Sequence, residues 1–581
     1  MTSIDFVVIG LFSALIVFIG LSFSKTSGKD MRSFFSAGGA VPWWINGLSL
    51  FMGFVSANTF VAWGSIAYKS GLVAIAIQWM MAIAGLLVGF LIAPYWHRTR
   101  ALTAAEYISD RLGVRTQKTY SAIYLAIMVF MTGVYIYAVA KLLMVSTNLV
   151  LPGFTKEASL YFWIMVLGLT VIIYTTVGGL WAVVVTDTLQ FVILTAAALI
   201  VVPLAITKVG GLQQFFASQP TEGFFNLTNH EYTWQFLVAF GLYNFFYLAG
   251  QWSFVQRYTS VKTEGEARKV GWLFGGLYLI SPIIWMLPPM ICRVVNPNLQ
   301  GLQAEEAYLM ISSQVLPAGM IGLLIISLVF ATNSSVQGVL NIAAGVITND
   351  LFKSRFPHAT EQTLMRVAKG ATFFFGLITM AIAMLVPSMG GATQVVLTMA
   401  GLTGCPLYLP LIWALFSKRQ TGMTVLSTTV ISLAITLSLK FLLPLVPGCQ
   451  ALSRANEMIA GVVVPAVIML IQELLLRIRQ APTTPYEAFD KIRAAKLAQE
   501  AKDVQVITEE ADAENRQGIR MIAIGILFTG CVIGTLGVMA KQGTTTVVTI
   551  AAILLALGGW FFYKTMKKPI LKQTNTPPAE Q

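Results

Sequence analysis

Fifteen times along this chain of 581 residues, an apolar stretch of helix-spanning length gives way to a short polar break. The stretches lie near 4–24, 41–68, 72–94, 119–150, 159–177, 180–206, 233–256, 270–295, 317–348, 370–387, 393–416, 423–446, 458–476, 519–538 and 545–563. A helix of roughly 20 apolar residues crosses about 30 Å of hydrocarbon. Inside hydrocarbon each backbone N–H and C=O must find its partner within the protein, and a helix supplies it. Composition agrees, with 56% hydrophobic and 11% charged residues. A soluble domain carries roughly 25% charged residues, so this chain could not cover a soluble surface. A soluble enzyme, a disordered chain and a fibre are all excluded. The chain reads as an all-α polytopic membrane protein with about 15 transmembrane helices.

The formal charge of +13 points to membrane topology and not to nucleic acid. If the N-terminus is outside, 30 of the 38 Lys and Arg residues fall in inward loops and six in outward loops, while Lys141 and Lys440 sit within helices. That excess is what the positive-inside rule demands, so the N-terminus is expected outside and the C-terminus inside, in the cell (inner) membrane. The first apolar run lacks a basic leading region and an A-x-A site, and is expected to be a retained helix. Cys292, Cys405, Cys449 and Cys531 form no CxxC pair, and His97, His230 and His358 do not cluster, so no disulfide framework or metal centre is suggested. No GxxxxGK loop is present, which leaves no nucleotide partner. Residues 477–518 are polar and rich in Ala, Glu and Lys, and are expected to form a partly helical, solvated cytoplasmic connector.

Polar groups at membrane depth are costly, and they persist where they face a cavity or one another. Three spans carry them. In the second, Gly53, Ser56, Ala57, Asn58 and Thr59 stand at mid-depth, where an opened helix would expose carbonyls such as those of Met52 and Val55. In the seventh, Tyr243, Asn244, Tyr247, Gly250 and Gln251 interrupt an aromatic helix. In the ninth, Asn333, Ser334, Ser335, Gln337 and Asn341 crowd nine positions. Ala331, Ser334 and Ser335 are spaced i, i+3, i+4 and share a helix face. Two hydroxyls and a carbonyl there, meeting opened carbonyls from another helix, make an all-oxygen pocket for one ion. Packing through small residues and serine bonding between helices is the rival explanation of each span. Interrupted helices five spans apart match two five-helix halves of opposite topology, whose broken helices hold substrate and ion near the midplane.

Five strings give these features a context: AGGAVPWWINGLSLF at 37–51, TAAEYISDRLGVR at 103–115, GGLWAVVVTDTLQ at 178–190, VQRYTSVKTEGEARK at 255–269 and SSVQGVLNIAAGVITND at 334–350. With them the chain resembles the sodium:solute symporter family, which includes sodium–glucose, sodium–proline and sodium–sialic acid cotransporters, from about residue 35 to 450. The resemblance implies a LeuT-like five-plus-five inverted-repeat core with one preceding and four trailing helices. The divisions expected are 1–40 for the leading helix and first cytoplasmic loop, 41–206 and 207–416 for the two halves, 417–476 for two trailing helices, 477–518 for the linker, and 519–581 for the last two helices and tail. It also implies a sodium site of the Met52, Val55 and Ala331 carbonyls with the Ser334 and Ser335 hydroxyls. Some members bind a second sodium with hydroxyls one turn on and the aspartate of the TD--Q string. That turn is Gln337-Gly338 here, so Asp187 is expected in ion exit, a second site, or a pair with a cytoplasmic basic group.

For the solute, the resemblance implies Ser56, Thr59, Gln78, Asn244 and Tyr247, the tyrosine lying beneath the solute as an inner gate. Phe54, Met81 and Leu397 replace polar residues of galactose carriers. Met131 stands near the position where the sialic acid branch has an arginine, and Lys141 lies nearer the outer end of that helix. The expected activity is sodium-coupled symport of a small polar organic solute, foremost a sugar, sugar derivative or polyol. An organic acid such as sialic acid, or an amino acid, is the alternative solute, and a transporter-like sensor is the alternative of another class. The longest outward loop, 207–232, offers only Glu222, His230 and Glu231, too little for a catalytic centre.

Overall fold

The computed structural model describes residues 1–27, 41–101, 103–147, 155–175, 180–356 and 358–566. The loop before residue 41, the glycine pair at 178–179 that was expected to split two spans, and the tail after 566 lie outside the described residues. Among the described residues there is helix, turn and coil but no strand. Each of the fifteen apolar runs falls on a helix or on a pair of helices separated by a break. Among the described residues, eleven of these helices are long and apolar enough to cross a membrane, and one further pair passes together with a bend of 61°.

The elements used below are α1 (Ser3–Ser27), α2 (Trp43–Phe54), α3 (Gly64–Ser70), α4 (Val73–Leu91), α5 (Ala104–Leu112), α6 (Val114–Thr147), α7 (Lys156–Thr175), α8 (Leu180–Lys208), α9 (Trp234–Gly250), α10 (Trp252–Thr259), α11 (Glu264–Val295), α12 (Ala307–Val315), α13 (Met320–Gly345), α14 (Glu361–Leu385), α15 (Gly391–Phe416), α16 (Gly422–Phe441), α17 (Arg454–Ile478), α18 (Thr484–Met539) and α19 (Thr544–Met566). One cluster pairs α4 with α9 and α11, and α11 with α2, while α6 packs on α13 and α14. Small residues let the first cluster close. A Cβ on Gly85 would stand 2.4 Å from Phe274, and one on Gly271 would meet the Gly89 backbone at 2.5 Å. Each helix thus turns a small-xxx-small stripe to the other, the packing that brings backbones together where the hydrophobic effect gives no help. α16, α17 and α19 leave most of their apolar surface outward, as lipid-facing helices do.

The linker departs from expectation. The 477–518 segment is more helical than expected, since α18 runs unbroken from Thr484 into the last hairpin; most of its described side chains are exposed, but one end is docked. Its first turns lie on α5. Phe489 is 5% exposed and meets Tyr107 edge-on at 5.7 Å, while Arg111 and Lys418 sit over the Tyr486 ring. Lys496 bonds to Glu106 and Asp110. The charged composition hid an apolar anchor, because two aromatic residues are enough to fix the end of a helix.

Candidate ion and solute site

Both interruptions foreseen in the second and seventh spans are real, and each is made by one extended residue. Val55 (φ −90, ψ 133) ends α2, and after Ser56 the chain returns to helix through a π-helical turn, Thr59–Trp63. Such turns are rare and gather at functional sites. Gln251 (φ −66, ψ 126) separates α9 from α10, and its side-chain carbonyl caps α10 by accepting from the N–H groups of Ser253 and Phe254. The first break is held by hydroxyls. The Ser56 N–H donates to Thr59 Oγ1 at 3.2 Å, and the Ala57 N–H donates to Thr332 Oγ1 on α13 at 2.9 Å.

The ninth span, α13, lies against this break. Ser335 Oγ donates to the Gly53 carbonyl at 3.3 Å and lies 3.4 Å from the Ala331 carbonyl. Ser334 Oγ, its neighbour, donates to Asp187 Oδ1 at 2.6 Å. Met52, Val55 and Ala331 are fully buried, whereas Gly53, Phe54, Ser253, Ser334, Ser335 and Gly338 are half-buried, so the accessible edge lies on the Ser253 side. The serine hydroxyl thus rests on Gly53, between Met52 and Val55 in sequence.

Asp187 is fully buried behind the serines. Its second oxygen accepts from Ser49 Oγ at 2.6 Å, and the Arg257 guanidinium stands 3.6 Å away. Arg257 in turn donates to Ser49 Oγ and to the Ser253 carbonyl. Arg257 is thus a basic partner of Asp187, one of the roles named for that aspartate. Ser49, Ser253 and Thr332 were not foreseen. Asp187, a lone carboxylate in an apolar span, was the available signal for the pair, while Arg257 stood at the start of an inward loop; the three hydroxyls look like any others in a membrane helix.

Of the solute positions, Ser56, Thr59, Gln78 and Asn244 are buried and Tyr247 is 8% exposed. Tyr247 lies in an aromatic wall, edge-on to Phe54, Phe254 and Tyr408 and stacked on Tyr243. The Gln78 Nε2 reaches the Ala74 carbonyl one turn back, and the Asn244 Nδ2 donates to the Phe240 carbonyl at 2.8 Å. Each amide therefore gives one of its two N–H groups to its own helix, and the Gln78 carbonyl oxygen is enclosed without a partner among the described residues. Met131 is buried and apolar. Lys141 is engaged elsewhere, 3.0 Å from Glu305.

The family model for the sodium:solute symporter family matches residues 34–431. A sodium/glucose cotransporter of Vibrio parahaemolyticus is 26% identical over 477 residues, which cover 76% of this chain and 85% of that one. Sodium/myo-inositol cotransporter 2 of Oryctolagus cuniculus is 26% identical over 63% of this chain; the matched part is 59% of the rabbit protein's length. Among solved structures, a substrate-bound, outward-open sodium-coupled sialic acid symporter superposes with a TM-score of 0.67 at 21% identity, over 82% of this chain and 98% of that chain. Mhp1, a nucleobase-cation-symport-1 family transporter in a closed conformation, gives 0.51 at 14% identity over 79% and 98%. The two structural likenesses establish the LeuT-like fold, and the family match adds the chemistry. This chain belongs to the sodium:solute symporter family, as a multi-pass membrane transporter and not an enzyme, with sodium as its coupling ion.

Proposed function

We propose that the protein imports a small, neutral, hydroxyl-rich solute, a sugar or polyol, across the cell membrane by sodium-driven alternating access. The observation that carries the reading is the closure of α13 onto the first helix break through Ser335 and Gly53, with Asp187 behind Ser334. Sodium is a hard cation that takes oxygen ligands. Carbonyls of Met52, Val55 and Ala331 with hydroxyls of Ser334 and Ser335 would supply five of them. Because Ser334 gives its proton to Asp187, its oxygen lone pairs are left for the ion. Binding sodium there joins the broken helix to α13 and orders the solute site beside it.

Two features support a neutral, hydroxyl-bearing solute. The amides of Gln78 and Asn244 each give one N–H to their own helix, so a carbonyl oxygen and a second N–H remain on each, and a hydroxyl, which both donates and accepts, matches that pair. Two buried cations are already engaged by carboxylates: Lys141 with Glu305 and Arg257 with Asp187. A carboxylate solute would need one of them released. Ser56, Thr59 and Tyr247 complete the proposed lining, Tyr247 as the floor. With the N-terminus outside, as the loop charges favour, the Ser253 edge faces the cytoplasm and gives sodium its way out into a sodium-poor interior.

The driving force suffices without ATP. One charge crossing 100 mV supplies about 2.3 kcal/mol. A tenfold sodium gradient adds roughly 1.4 kcal/mol, and the sum would concentrate a neutral solute several hundredfold. The test is uptake of labelled sugars and polyols into proteoliposomes under inward sodium or choline gradients. Uptake confined to sodium is expected, and the Ser334→Ala/Ser335→Ala double variant should reconstitute normally while losing sodium dependence. Uptake by that variant with an unchanged sodium requirement would overturn the ion site.

A further inference from the structure

We propose that Asn58, at the first helix break, is a solute-contacting residue that reads one particular hydroxyl. The inference rests on the hydroxyl-solute reading above. Asn58 is 5% exposed, and its side-chain carbonyl oxygen is enclosed with no hydrogen-bond partner among the described residues. A buried acceptor without a partner is uncommon in native proteins, and each asks for an explanation.

The residues around it make the omission specific. At the same break the Ser56 N–H is satisfied by Thr59 and the Ala57 N–H by Thr332. These two N–H groups at the break are provided for, and the Asn58 side-chain oxygen beside them is not. The segment that it opens runs beside the proposed solute site. One turn on, the Ala62 carbonyl accepts from Thr393 Oγ1 of α15, and Trp63 meets Phe240 of α9 edge-on. Phe60 points the other way, against Trp285 and Tyr308. Asn58 therefore begins the short segment that lies along α15 and α9, and α9 carries Asn244 and Tyr247. α4, which carries Gln78, packs on α9 where Met80 meets Gly241.

The orphaned acceptors that stand among the proposed solute positions, on Asn58 and Gln78, then have one chemical use in common. Both are amide carbonyl oxygens, so both ask for a donor, and a polyol supplies O–H donors from several directions. Asn58 also sits three residues beyond Val55, on the segment whose path the sodium site fixes. Sodium binding would set the position of this acceptor, which gives coupling between ion and solute a direct physical route.

The experiment uses the full-length protein with labelled myo-inositol and D-glucose as probes, together with their monodeoxy analogues. Asn58→Ala is expected to raise the half-saturating concentration of the transported probe roughly tenfold. Its melting temperature without solute should be unchanged or higher, because the substitution removes an unsatisfied buried oxygen. Sodium alone should stabilise it as it stabilises wild type. One monodeoxy analogue should be handled alike by wild type and variant, and that analogue identifies the hydroxyl. Asn58→Ser, smaller yet polar, should fall between the two and serves if the alanine variant does not fold. Two results overturn the inference while leaving the transport reading intact: solute affinity unchanged in both variants, or a lowered melting temperature with every analogue affected equally. Wild type that is stabilised by sodium but takes up neither probe in sodium sinks the hydroxyl-solute reading, and this inference with it.

Discussion

Two buried ion pairs stand at opposite ends of α11, and they are built on different principles. Beyond its C-terminal end, Lys141 on α6 meets Glu305 at 3.0 Å, with both side chains almost wholly buried. Each partner is tied further. Lys141 also donates to the Leu302 carbonyl, Tyr137 donates to one Glu305 oxygen, and the Ala392 N–H donates to the other. The carboxylate thus caps the N-terminus of α15, where the helix dipole favours a negative charge. Gly391 is required for the approach: its φ is +89, and a Cβ would come within 2.6 Å of the Glu305 carboxylate. Before the N-terminal end of α11, Asp187 and Arg257 are 3.6 Å apart, and Ser49 bonds to both. The first pair is a clasp with no slack. The second has hydroxyls set between and beside its charges, so its geometry can change without leaving either charge bare. A clasp suits a closure that holds, and the looser arrangement suits a place where a cation comes and goes.

The clasp should be the more expensive to break. Lys141→Ala leaves a buried carboxylate without its cation, and removal of one partner of such a pair costs about 3–5 kcal/mol. The melting temperature should drop sharply, and Lys141→Met combined with Glu305→Gln should recover most of the loss. A single variant as stable as wild type would mean that water reaches Glu305, and the contrast between the two ends would collapse.

The looser pair should show itself in ion affinity before stability. Asp187→Asn keeps an acceptor for Ser334 but removes the negative charge behind the proposed sodium site. Partners that orient a metal's ligands typically contribute 10–100-fold in affinity. The sodium concentration needed to stabilise the protein should rise by about that factor, while the clasp at the other end is untouched. An unchanged sodium titration would reduce Asp187 to a structural partner of Arg257.

How each region could be read from the sequence follows the same division. Ser334 and Ser335 were legible because polar residues in hydrocarbon are conspicuous and their i, i+3, i+4 spacing with Ala331 fixes a common face. The breaks at Val55 and Gln251 were legible from glycine and polar residues at mid-depth. The clasp was not. Lys141 was visible as an odd charge, but Glu305 belongs to a loop where a glutamate attracts no notice, and their meeting is set by how the 301–306 turn folds over α6. Asn58 stood in full view among the polar residues of the second span, yet only the enclosure of its unpaired oxygen separates it from Ser56 and Thr59. Contacts distant in sequence are what periodicity and composition do not carry.

The smallest effect is expected where α18 crosses α5, and it tests whether the cytoplasmic contact belongs with the clasp or with the looser pair. Lys496 is about a quarter exposed and bonds to Glu106 and Asp110. Burial alone would lower its pKa, but the hydrogen bonds to Asp110 and Glu106 outweigh this and raise it above the ordinary lysine value. A raised pKa means that the stabilisation is fully present below the unfolded-state value and fades only as pH rises through the folded-state value, in strongly alkaline solution. Between pH 6 and 9 the contact should therefore be flat in pH. Salt is the effective lever, since charges near the surface are screened within about 10 Å at 0.1 M. Lys496→Ala should cost no more than about 1 kcal/mol, as partly exposed pairs do. Choline chloride at 0.5 M should reproduce the effect in wild type without adding sodium. Hydrogen exchange over 104–112 and 484–500 is the direct measure, and protection should fall slightly and equally in both segments. Phe489 against Tyr107 is indifferent to salt and should keep the helix docked. Complete loss of protection in Lys496→Ala would place the contact with the clasp: the ion pair, and not the aromatic anchor, would then be holding α18 to the core.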